Sequence, residues 1–372
     1  MKWIDRQDAL DAALEQLAAQ QEIAVDTEAD SLHSYFDKVC LIQISVPGED
    51  LIVDPLANVD LNRFGGLLAN PAITKVFHGG DYDLRIMHRD FGFVVRNLID
   101  TSICAQLLGY EAIGLAALLE RHFGIKLNKT HQRADWSMRP LPPDMLDYAA
   151  TDTHHLAALA ANLREELAAL GRWEWALEEF ARLETVRYRE ADDDVEPWRK
   201  VKNIGGLDRR SLAVVRELYE WRDKLARKAD RPPFKILGND AIVEIAKVKP
   251  ASPRELADVK PLSRYHSERF GRELVQMVRR VLEIPEAELP EKNAPKPWIR
   301  DKALEARIDR LKRVRDRTAK ELKIDPSVLA PRHVLAGVAT NGALDVPAMR
   351  EWQKQVIGSA LLAALEPERK LF

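Results

Sequence analysis

The chain has 372 residues, of which 46% are hydrophobic and 31% are charged. This length allows two or three domains with their own cores, and the composition excludes a disordered chain. No apolar run approaches the roughly 18 residues that a membrane helix needs, and the acids in the first segment, "MKWIDRQDALDAALEQL", do not suit an export signal. We therefore expect a cytoplasmic protein with no membrane partner.

Charge is divided unevenly along the chain. Residues 1–190 contain 18 Lys and Arg against 30 Asp and Glu, a net charge of −12, whereas residues 191–372 contain 38 against 29, a net charge of +9. A basic half favours an anionic partner, most commonly nucleic acid, and the alternative is a set of solvated basic helices. The acidic half would need metal ions before it could approach phosphate.

The first 185 residues alternate between strand and helix patterns. An amphipathic helix in "DRQDALDAALEQLAAQ" precedes three runs of strand length, "EIAVDTEA", "KVCLIQISVP" and "DLIVDPL", and "ITKVFHGG" follows before the next helix. Short connections between the first three runs favour antiparallel pairing, and the later strands are joined through helices. The pattern predicts an α/β domain with a mixed sheet flanked by helices.

The second half is helical and contains an internal repeat. The segment "WRDKLARKADRPPFKILGNDAIVEIA" from Trp221 aligns without a gap with "VRDRTAKELKIDPSVLAPRHVLAGVA" from Val314, at an offset of 93. The matching positions are mostly apolar ones at helical spacing plus a proline, so they specify a fold rather than a site. An acidic run and a proline indicate a linker before the repeat. The predicted organisation is a domain at 1–186, a linker at 187–206, and two small all-α domains at 207–286 and 299–372.

Two acids stand at the end of a strand. In "AVDTEADSL", Asp26 and Glu28 follow a short apolar run, and because side chains alternate along a strand they point to the same side. Buried carboxylates need a proton, a cation or a metal nearby. The pair is either a metal clamp or a solvated strand edge. Asp30 is expected to face solvent.

A third acid follows the next predicted strand. In "VFHGGDYDLRIM" the strand ends at His78, two glycines allow a tight turn, and Asp81 is placed to cap the next helix. Asp83 then lies in the first turn of that helix. Taken alone, Asp83 would only complement the helix dipole.

The fourth acid shares a helix face with a tyrosine. In "PPDMLDYAATDTHHLAALA" Pro142 opens a helix, and Tyr148 and Asp152 are four residues apart. The alternative is a Tyr–Asp hydrogen bond on an ordinary helix. His154 and His155 lack a His or Cys partner at ligand spacing, so we expect them to be solvent-facing or packed.

Four carboxylates from separate segments predict an oxygen-only site for hard divalent cations such as Mg²⁺ or Mn²⁺. Two such ions about 4 Å apart can clamp the attacking and leaving oxygens of a phosphoryl displacement. A tyrosine one helical turn from a ligand can hold the attacking water. Spacing in the sequence does not by itself bring these residues together in space.

The ordered set Asp26-x-Glu28, Asp83 and Tyr148-x-x-x-Asp152 resembles the three exonuclease motifs of the DEDD superfamily, and its tyrosine resembles the DEDDy branch. The flanking segments resemble the ribonuclease D family: "VDTEAD", "CLIQIS", "HGGDYDL", "IDTSICAQLLG", "WSMRPLPPDMLDYAATD" and Lys129 ahead of Asp135-Trp136. The helical half resembles that family's helicase-and-RNase-D C-terminal (HRDC) domains, here in two copies. The resemblance covers nearly the whole chain.

The resemblance implies a ribonuclease-H-like fold for residues 1–186. It also implies a 3′→5′ exoribonuclease that depends on two Mg²⁺ or Mn²⁺ ions, releases nucleoside 5′-monophosphates and trims tRNA 3′ ends. The carboxylates of the three motifs would be the metal ligands, Tyr148 would position the nucleophilic water, and Lys129 would contact the RNA substrate. The ligands carried over in this way are Asp26, Glu28, Asp83 and Asp152.

Two other functions stay open from the sequence. A 3′→5′ exonuclease acting on DNA would use the same residues, because the contacts to the ribose 2′-OH that tell RNA from DNA cannot be seen in a sequence. A protein that only binds RNA is the non-enzymatic alternative. For the leading function, we expect that deleting residues 207–372 leaves the cleavage chemistry intact and weakens binding of structured RNA.

Overall fold

The computed structural model of the chain describes residues 1–128, 130–190, 196–292 and 301–365. The chain forms two compact units: the first contains residues 1–29, 39–188 and those from 299 onward, and the second contains residues 30–38 and 189–298. Within the described ranges, every helix is too short or too polar to cross a bilayer.

The first unit is built on a six-stranded sheet in the order β1-β4-β3-β2-β5-β6. Strand β2 pairs antiparallel with β3, and β3 with β4, whereas the other three pairings are parallel. The predicted mixed sheet is confirmed, but β1 was not foreseen because three residues are too few to show alternation. The strands are β1 (Lys2–Ile4), β2 (Glu22–Ala29), β3 (Val39–Val46), β4 (Glu49–Val53), β5 (Thr74–Phe77) and β6 (Leu98–Asp100).

Helices cover both faces of this sheet. On one face, alternate residues such as Ile23, Val25 and Ile42 enter the main core. On the other face, Leu41 and Ile52 pack with residues of α6 in a smaller core. The helices before residue 190 are α1 (Gln7–Ala18), α2 (Asn62–Ala69), α3 (Asp81–Phe91), α4 (Thr101–Leu108), α5 (Leu115–Phe123), α6 (Pro143–His154), α7 (Leu156–Ala169) and α8 (Trp173–Leu183).

The second unit is helical and has a core of its own. Its helices are α9 (Arg209–Lys228), α10 (Pro233–Ile236), α11 (Asn239–Val248), α12 (Pro253–Ala257) and α13 (Arg264–Glu283). Buried residues from the long helices, among them Leu218, Ile242 and Leu274, form this core together with Trp198. The predicted linker 187–206 therefore contains core residues in its later part, whereas residues 191–195 lie outside the described ranges.

The C-terminal helices reproduce the repeat but belong to the first unit. They are α14 (Lys302–Leu322), α15 (Pro326–Leu329), α16 (Arg332–Asn341) and α17 (Glu351–Leu365). Helices α15 and α16 occupy the positions of α10 and α11 shifted by 93 residues. The same internal contact recurs: Arg222 Nη1 donates to the Leu237 carbonyl at 2.9 Å, and Arg315 Nη1 donates to the Ala330 carbonyl at 3.1 Å.

This second copy shares the main core of the first unit. The Trp352 ring stacks on Trp175 of α8 with centroids 4.8 Å apart, and Arg172 donates to the Leu322 carbonyl at 2.7 Å. Buried residues of α14 and α16 lie in the same cluster as those of the sheet. Deletion of residues 207–372 would therefore expose part of this core, an effect that the expectation of intact cleavage chemistry did not include.

Asp30 does not face solvent, which corrects the expectation from the sequence. It lies at the start of the segment 30–38, which belongs to the second unit, and its residue surface is fully buried. Its carboxylate accepts hydrogen bonds from Lys38 Nζ and from Ser34 Oγ, both at 2.6 Å. These contacts hold the pKa of Asp30 below its ordinary value despite burial, because hydrogen bonds and a nearby ammonium favour the charged form.

Candidate active site

The middle of the sheet carries the first pair of predicted site residues. Across the β2–β3 ladder, Asp26 is paired with Gln43 and Glu28 with Leu41, so both acids point to the face that α6 covers. The register changes directly after Glu28, where a bulge separates it from Ala29. Both acids are partly buried, so the pair is not a fully solvated strand edge.

Asp83 lies in the first turn of α3 and is buried, with 7% of its surface exposed. The hydroxyl of Thr27, between the two strand acids, donates to the Asp83 carboxylate. Sequence reasoning missed Thr27, although its place between two predicted ligands was the available signal. Asp81 does not cap the helix as expected, because α3 begins at Asp81 itself and its carboxylate pairs with Arg85 at 2.7 Å.

The turn before α3 is held by hydrogen bonds to the last residue of β6. Asp100 accepts from the backbone N–H groups of Gly79 and Gly80 at 3.1 and 2.8 Å. Gly79 has φ of +69°, a conformation that residues with a Cβ rarely adopt. The two glycines therefore serve the turn that delivers Asp83 to the sheet.

Helix α6 brings Tyr148 and Asp152 over the same face of the sheet. It packs on β3 and β4, and a hydrogen bond of 2.7 Å joins Ser45 of β3 to Thr153. His154, next along the helix, has Nδ1 2.9 Å from the Asp50 carboxylate, so this histidine is held by an acid. The five residues predicted from three distant segments thus meet at one place on the sheet.

The electrostatics of the four carboxyl groups are coupled. Burial raises the pKa of Asp26 well above its ordinary value, and the charges of Asp83, Asp152 and Glu28 raise it further. Burial also raises the pKa of Glu28 to about 9, with the charges of Asp152 and Asp83 adding to the effect. Each group is easier to ionise when its neighbours keep their protons, as expected for like charges in one site.

The pKa values of the other two carboxyl groups are raised less. Burial raises the pKa of Asp83 to about 6, against the hydrogen bond from Thr27, which lowers it. Burial raises the pKa of Asp152 to about 7, and hydrogen bonding with Tyr148 lowers it. The pKa of Tyr148 is raised, first by burial and then by the charges of the nearby carboxylates, so its hydroxyl stays protonated at neutral pH.

The chemistry of this donor set fits a hard divalent cation. All four donors are carboxylate oxygens, the ligands that such cations prefer. In the part of the chain that the structure describes, however, no three His, Cys, Asp or Glu side chains stand close enough to hold an ion as they are. Ligation would require the carboxylates to move closer together as they lose their protons.

A cavity of about 430 Å³ adjoins the tyrosine side of the site. Tyr148 and Asp152 line it together with His131, which sequence reasoning did not single out. His131 Nε2 lies 3.0 Å from an Asp144 carboxylate oxygen, and its ring meets that of Tyr148 edge to face. Lys129, the predicted substrate contact, lies outside the described residues, so its role stays a prediction.

Two family models match separate parts of the chain. The model of the 3′–5′ exonuclease domain found in DNA polymerase A matches residues 1–168. The HRDC domain model matches residues 211–278, which are the first helical copy.

Relatives align over almost the full length. Ribonuclease D of Nitrobacter hamburgensis is 32% identical, covering 93% of this chain and 90% of the relative, and that of Pseudomonas paraeruginosa is 30% identical, covering 98% of each. Among solved structures, Escherichia coli RNase D, described as an exoribonuclease involved in structured RNA processing, has a TM-score of 0.68 at 27% identity over 98% of both chains. The catalytic core of RRP6 from Trypanosoma brucei has a TM-score of 0.65 at 34% identity, covering 76% of this chain and 79% of its own.

These relatives support RNA hydrolysis over the DNA and binding-only alternatives. The family resemblance and the fold expected from the sequence are confirmed by full-length relatives and by the exonuclease and HRDC matches. The chain belongs to the ribonuclease D family and is a 3′–5′ exoribonuclease.

Proposed function

We propose that this exoribonuclease removes nucleoside 5′-monophosphates from the 3′ end of RNA by two-metal-ion hydrolysis, and that precursors of tRNA are among its substrates. The observation that carries the proposal is the group of four buried or partly buried carboxyl groups in which the charges of Asp83, Asp152 and Glu28 raise the pKa of Asp26, and those of Asp152 and Asp83 raise that of Glu28. Exonucleases of the ribonuclease D type are metal-dependent. The tRNA substrate is proposed from the family resemblance.

The proposed ligands of Mg²⁺ or Mn²⁺ are Asp26, Glu28, Asp83 and Asp152. When bound, divalent cations supply the positive charge that favours the ionised carboxylates and stabilises charge developing on phosphate oxygens. Thr27 orients Asp83 through its hydroxyl, and Asp83 is itself buried. The acidic site thereby becomes able to accept a phosphodiester.

Tyr148 is proposed to position the nucleophilic water. Its raised pKa keeps the hydroxyl protonated, so it acts by hydrogen bonding and not as a base. Asp152 lies one helical turn further along α6, so the tyrosine and a proposed ligand are held by the same rigid element. The neighbouring cavity of about 430 Å³ has room for a nucleotide.

The second unit is proposed to hold the body of the RNA. Among its described residues, three aromatic side chains have more than half of their surface accessible: Phe36 (57%), Phe234 (55%) and Tyr265 (55%). Exposed rings stack on bases of any sequence, and arginine adds attraction to phosphate. The guanidinium of Arg269 lies 5.7 Å from the centroid of the Tyr265 ring.

These rings lie on segments that contact one another within the second unit. Asp230 Oδ1 accepts from the Phe36 N–H at 3.0 Å, Lys235 Nζ is 3.4 Å from His33 Nδ1, and His266 Nε2 is 3.4 Å from the Lys235 carbonyl. We call Phe36, Phe234, Tyr265 and Arg269 the aromatic patch. In the second helical copy, Ser327 stands at the position of Phe234, so that copy lacks this ring.

The rest of the organisation is proposed as the sequence predicted it. The exonuclease domain is assigned to 1–186 and the first HRDC domain to 207–286. Residues 299–372 are assigned to an HRDC-like copy whose RNA binding is not part of the proposal, because it packs in the main core. A cytoplasmic location stays a prediction.

The experiment is degradation of a 3′-extended tRNA-like RNA and of a matched DNA strand, with Mg²⁺, with Mn²⁺ and with chelator, by wild type and Asp26→Asn. We expect stepwise shortening of the RNA from its 3′ end with either metal, release of nucleoside 5′-monophosphates, and loss of both in Asp26→Asn. Shortening that persists in chelator, or in Asp26→Asn, would contradict the metal site. Products other than 5′-monophosphates would contradict the proposed hydrolysis.

A further inference from the structure

Gln43 is a fully buried residue of β3 whose side-chain amide makes no hydrogen bond. Neither Oε1 nor Nε2 finds a partner in the described part of the chain. A buried polar group left unpaired lowers the stability of the fold, so most are paired and an exception needs an explanation. Gln353, also buried, is the contrast: its Nε2 donates to the Val328 carbonyl and its Oε1 accepts from the Arg350 N–H, both at 2.9 Å.

The register of the sheet places Gln43 beside the carboxylate site. Its direct cross-strand neighbour on β2 is Asp26, and on β4 it is Ile52. Its neighbours two residues away on β3 lie under α6, since Leu41 packs with that helix and Ser45 bonds to Thr153. Side chains directly opposite in an antiparallel pair have Cβ atoms about 4.5–5.5 Å apart, within reach of a glutamine amide.

An amide suits this place for an electrostatic reason. A lysine or arginine next to Asp26 would neutralise the carboxylate and repel a cation, whereas an apolar side chain would leave the ionised oxygens without a donor. A neutral N–H group can hydrogen-bond an ionised carboxylate and leave its charge available to a metal ion. The unused hydrogen bonds of Gln43 therefore match what Asp26 needs when it is ionised.

We propose that Gln43 is a positioning residue: its amide hydrogen-bonds the Asp26 carboxylate when a divalent cation is bound, and so strengthens binding of the cation. The inference rests on the proposed function, because it takes the four carboxylates as the cation site. In the metal-free protein the amide then lowers stability, and in the metal-bound protein it orients a ligand.

The test compares two matched substitutions in the full-length protein, Gln43→Met and Gln353→Met. Methionine keeps the length of the side chain and removes its donor and acceptor. Binding of Mn²⁺ is measured by isothermal titration calorimetry without RNA, and thermal unfolding is measured on the same metal-free samples. We expect Gln43→Met to bind Mn²⁺ about 10- to 100-fold more weakly, with a melting temperature equal to or above that of wild type.

We expect Gln353→Met to have a lower melting temperature than wild type and to bind Mn²⁺ with wild-type affinity. A purely structural role of Gln43 would give the same result at both positions. Wild-type affinity for Mn²⁺ in Gln43→Met would overturn the inference. So would a loss of folding in both Gln43→Met and Gln43→Leu, because the amide would then stabilise the metal-free protein.

Asp26→Asn separates this inference from the proposed function. Binding of Mn²⁺ should be lost in that variant. If Asp26→Asn loses binding and Gln43→Met keeps it, the carboxylate site stands and only the role of Gln43 fails. If Asp26→Asn binds Mn²⁺ as wild type does, the proposed site itself is wrong.

Discussion

The same helical fold occurs twice in this chain, once in each compact unit, and the two copies have different surroundings. The first copy has its own core around Trp198 and Ile242 and exposes the aromatic patch. The second copy puts Trp352 and its other buried side chains into the core of the exonuclease sheet. We therefore propose different roles for the two copies: the first holds RNA, and the second stabilises the catalytic unit.

Chemistry should depend on the first unit alone. Asp83→Asn removes a proposed metal ligand, and because a bound cation contributes several kcal/mol to the transition state, we expect kcat to fall about a thousandfold. Binding of RNA in chelator should stay at the wild-type level, since the aromatic patch is untouched. Single-turnover degradation and fluorescence anisotropy measure the two effects.

Asp81→Asn is the matched control, two residues away on the same helix. Asp81 is exposed and its carboxylate pairs with Arg85, so we expect kcat within about twofold of wild type, as for surface ion pairs. An equal loss of kcat in Asp81→Asn and Asp83→Asn would mean that α3 tolerates no change and that Asp83 has no special role.

The second copy should stabilise the exonuclease sheet. Trp352→Ala leaves a cavity in the main core and should cost about 3–5 kcal/mol of unfolding free energy. Hydrogen exchange should then speed up in peptides from β2 and β3. Trp198→Ala is the counterpart in the second unit and should speed up exchange in α9 and α13 instead. Unchanged protection of the sheet in Trp352→Ala would show that the copy is only attached to the sheet and not part of its stability.

The aromatic patch should act on affinity and not on chemistry. Phe234→Ala combined with Tyr265→Ala removes two stacking surfaces worth about 1–3 kcal/mol for each stacked base, so we expect the Kd for tRNA-like RNA to rise at least tenfold. The salt dependence of binding should not change, because no charge is removed. Val248→Ala, which trims another exposed apolar side chain of the second unit, should leave the Kd unchanged. A wild-type Kd in the double variant would remove the patch from the proposed RNA surface.

A further effect is the pH dependence of stability in the metal-free protein. The carboxyl groups of the site have pKa values above the ordinary value of about 4, so the folded state holds their protons more tightly than the unfolded state does. Their stabilisation is complete below about pH 4 and is lost as the pH rises through about 6, 7 and 9, the values of Asp83, Asp152 and Glu28. The melting temperature of the metal-free protein should therefore fall over this range.

Two comparisons check this prediction. Glu28→Gln should flatten the decline near pH 9, because it removes the group with that pKa. Added Mn²⁺ should restore stability most at high pH, where the carboxylates are ionised. A melting temperature that rises steadily from pH 6 to pH 9 in the metal-free wild type would contradict the raised pKa values.

The local pattern of the sequence was enough to predict most of the site and the fold. Alternation placed Asp26 and Glu28 on one side of β2, glycines marked the turn before Asp83, and helical spacing joined Tyr148 to Asp152. Each of these relations depends on neighbours in the chain, where backbone geometry alone sets the direction of a side chain. Their meeting in space was inferred from the family resemblance, and the structure brings the five together.

Other features depended on tertiary structure, because burial is decided by segments far apart in the chain. Asp30 is fully buried and accepts hydrogen bonds from Ser34 and Lys38, although its place directly after the strand suggested solvent. The side-chain amide of Gln43 is buried without a hydrogen bond because β2, β4 and α6 surround it, which the sequence does not show. Nothing in the repeat shows which copy keeps its own core, because its matching residues specify the helices and not what packs on their outer faces. The sequence alone determined the elements and the acids at their ends, and tertiary packing decided which polar groups have no partner and which helices share a core.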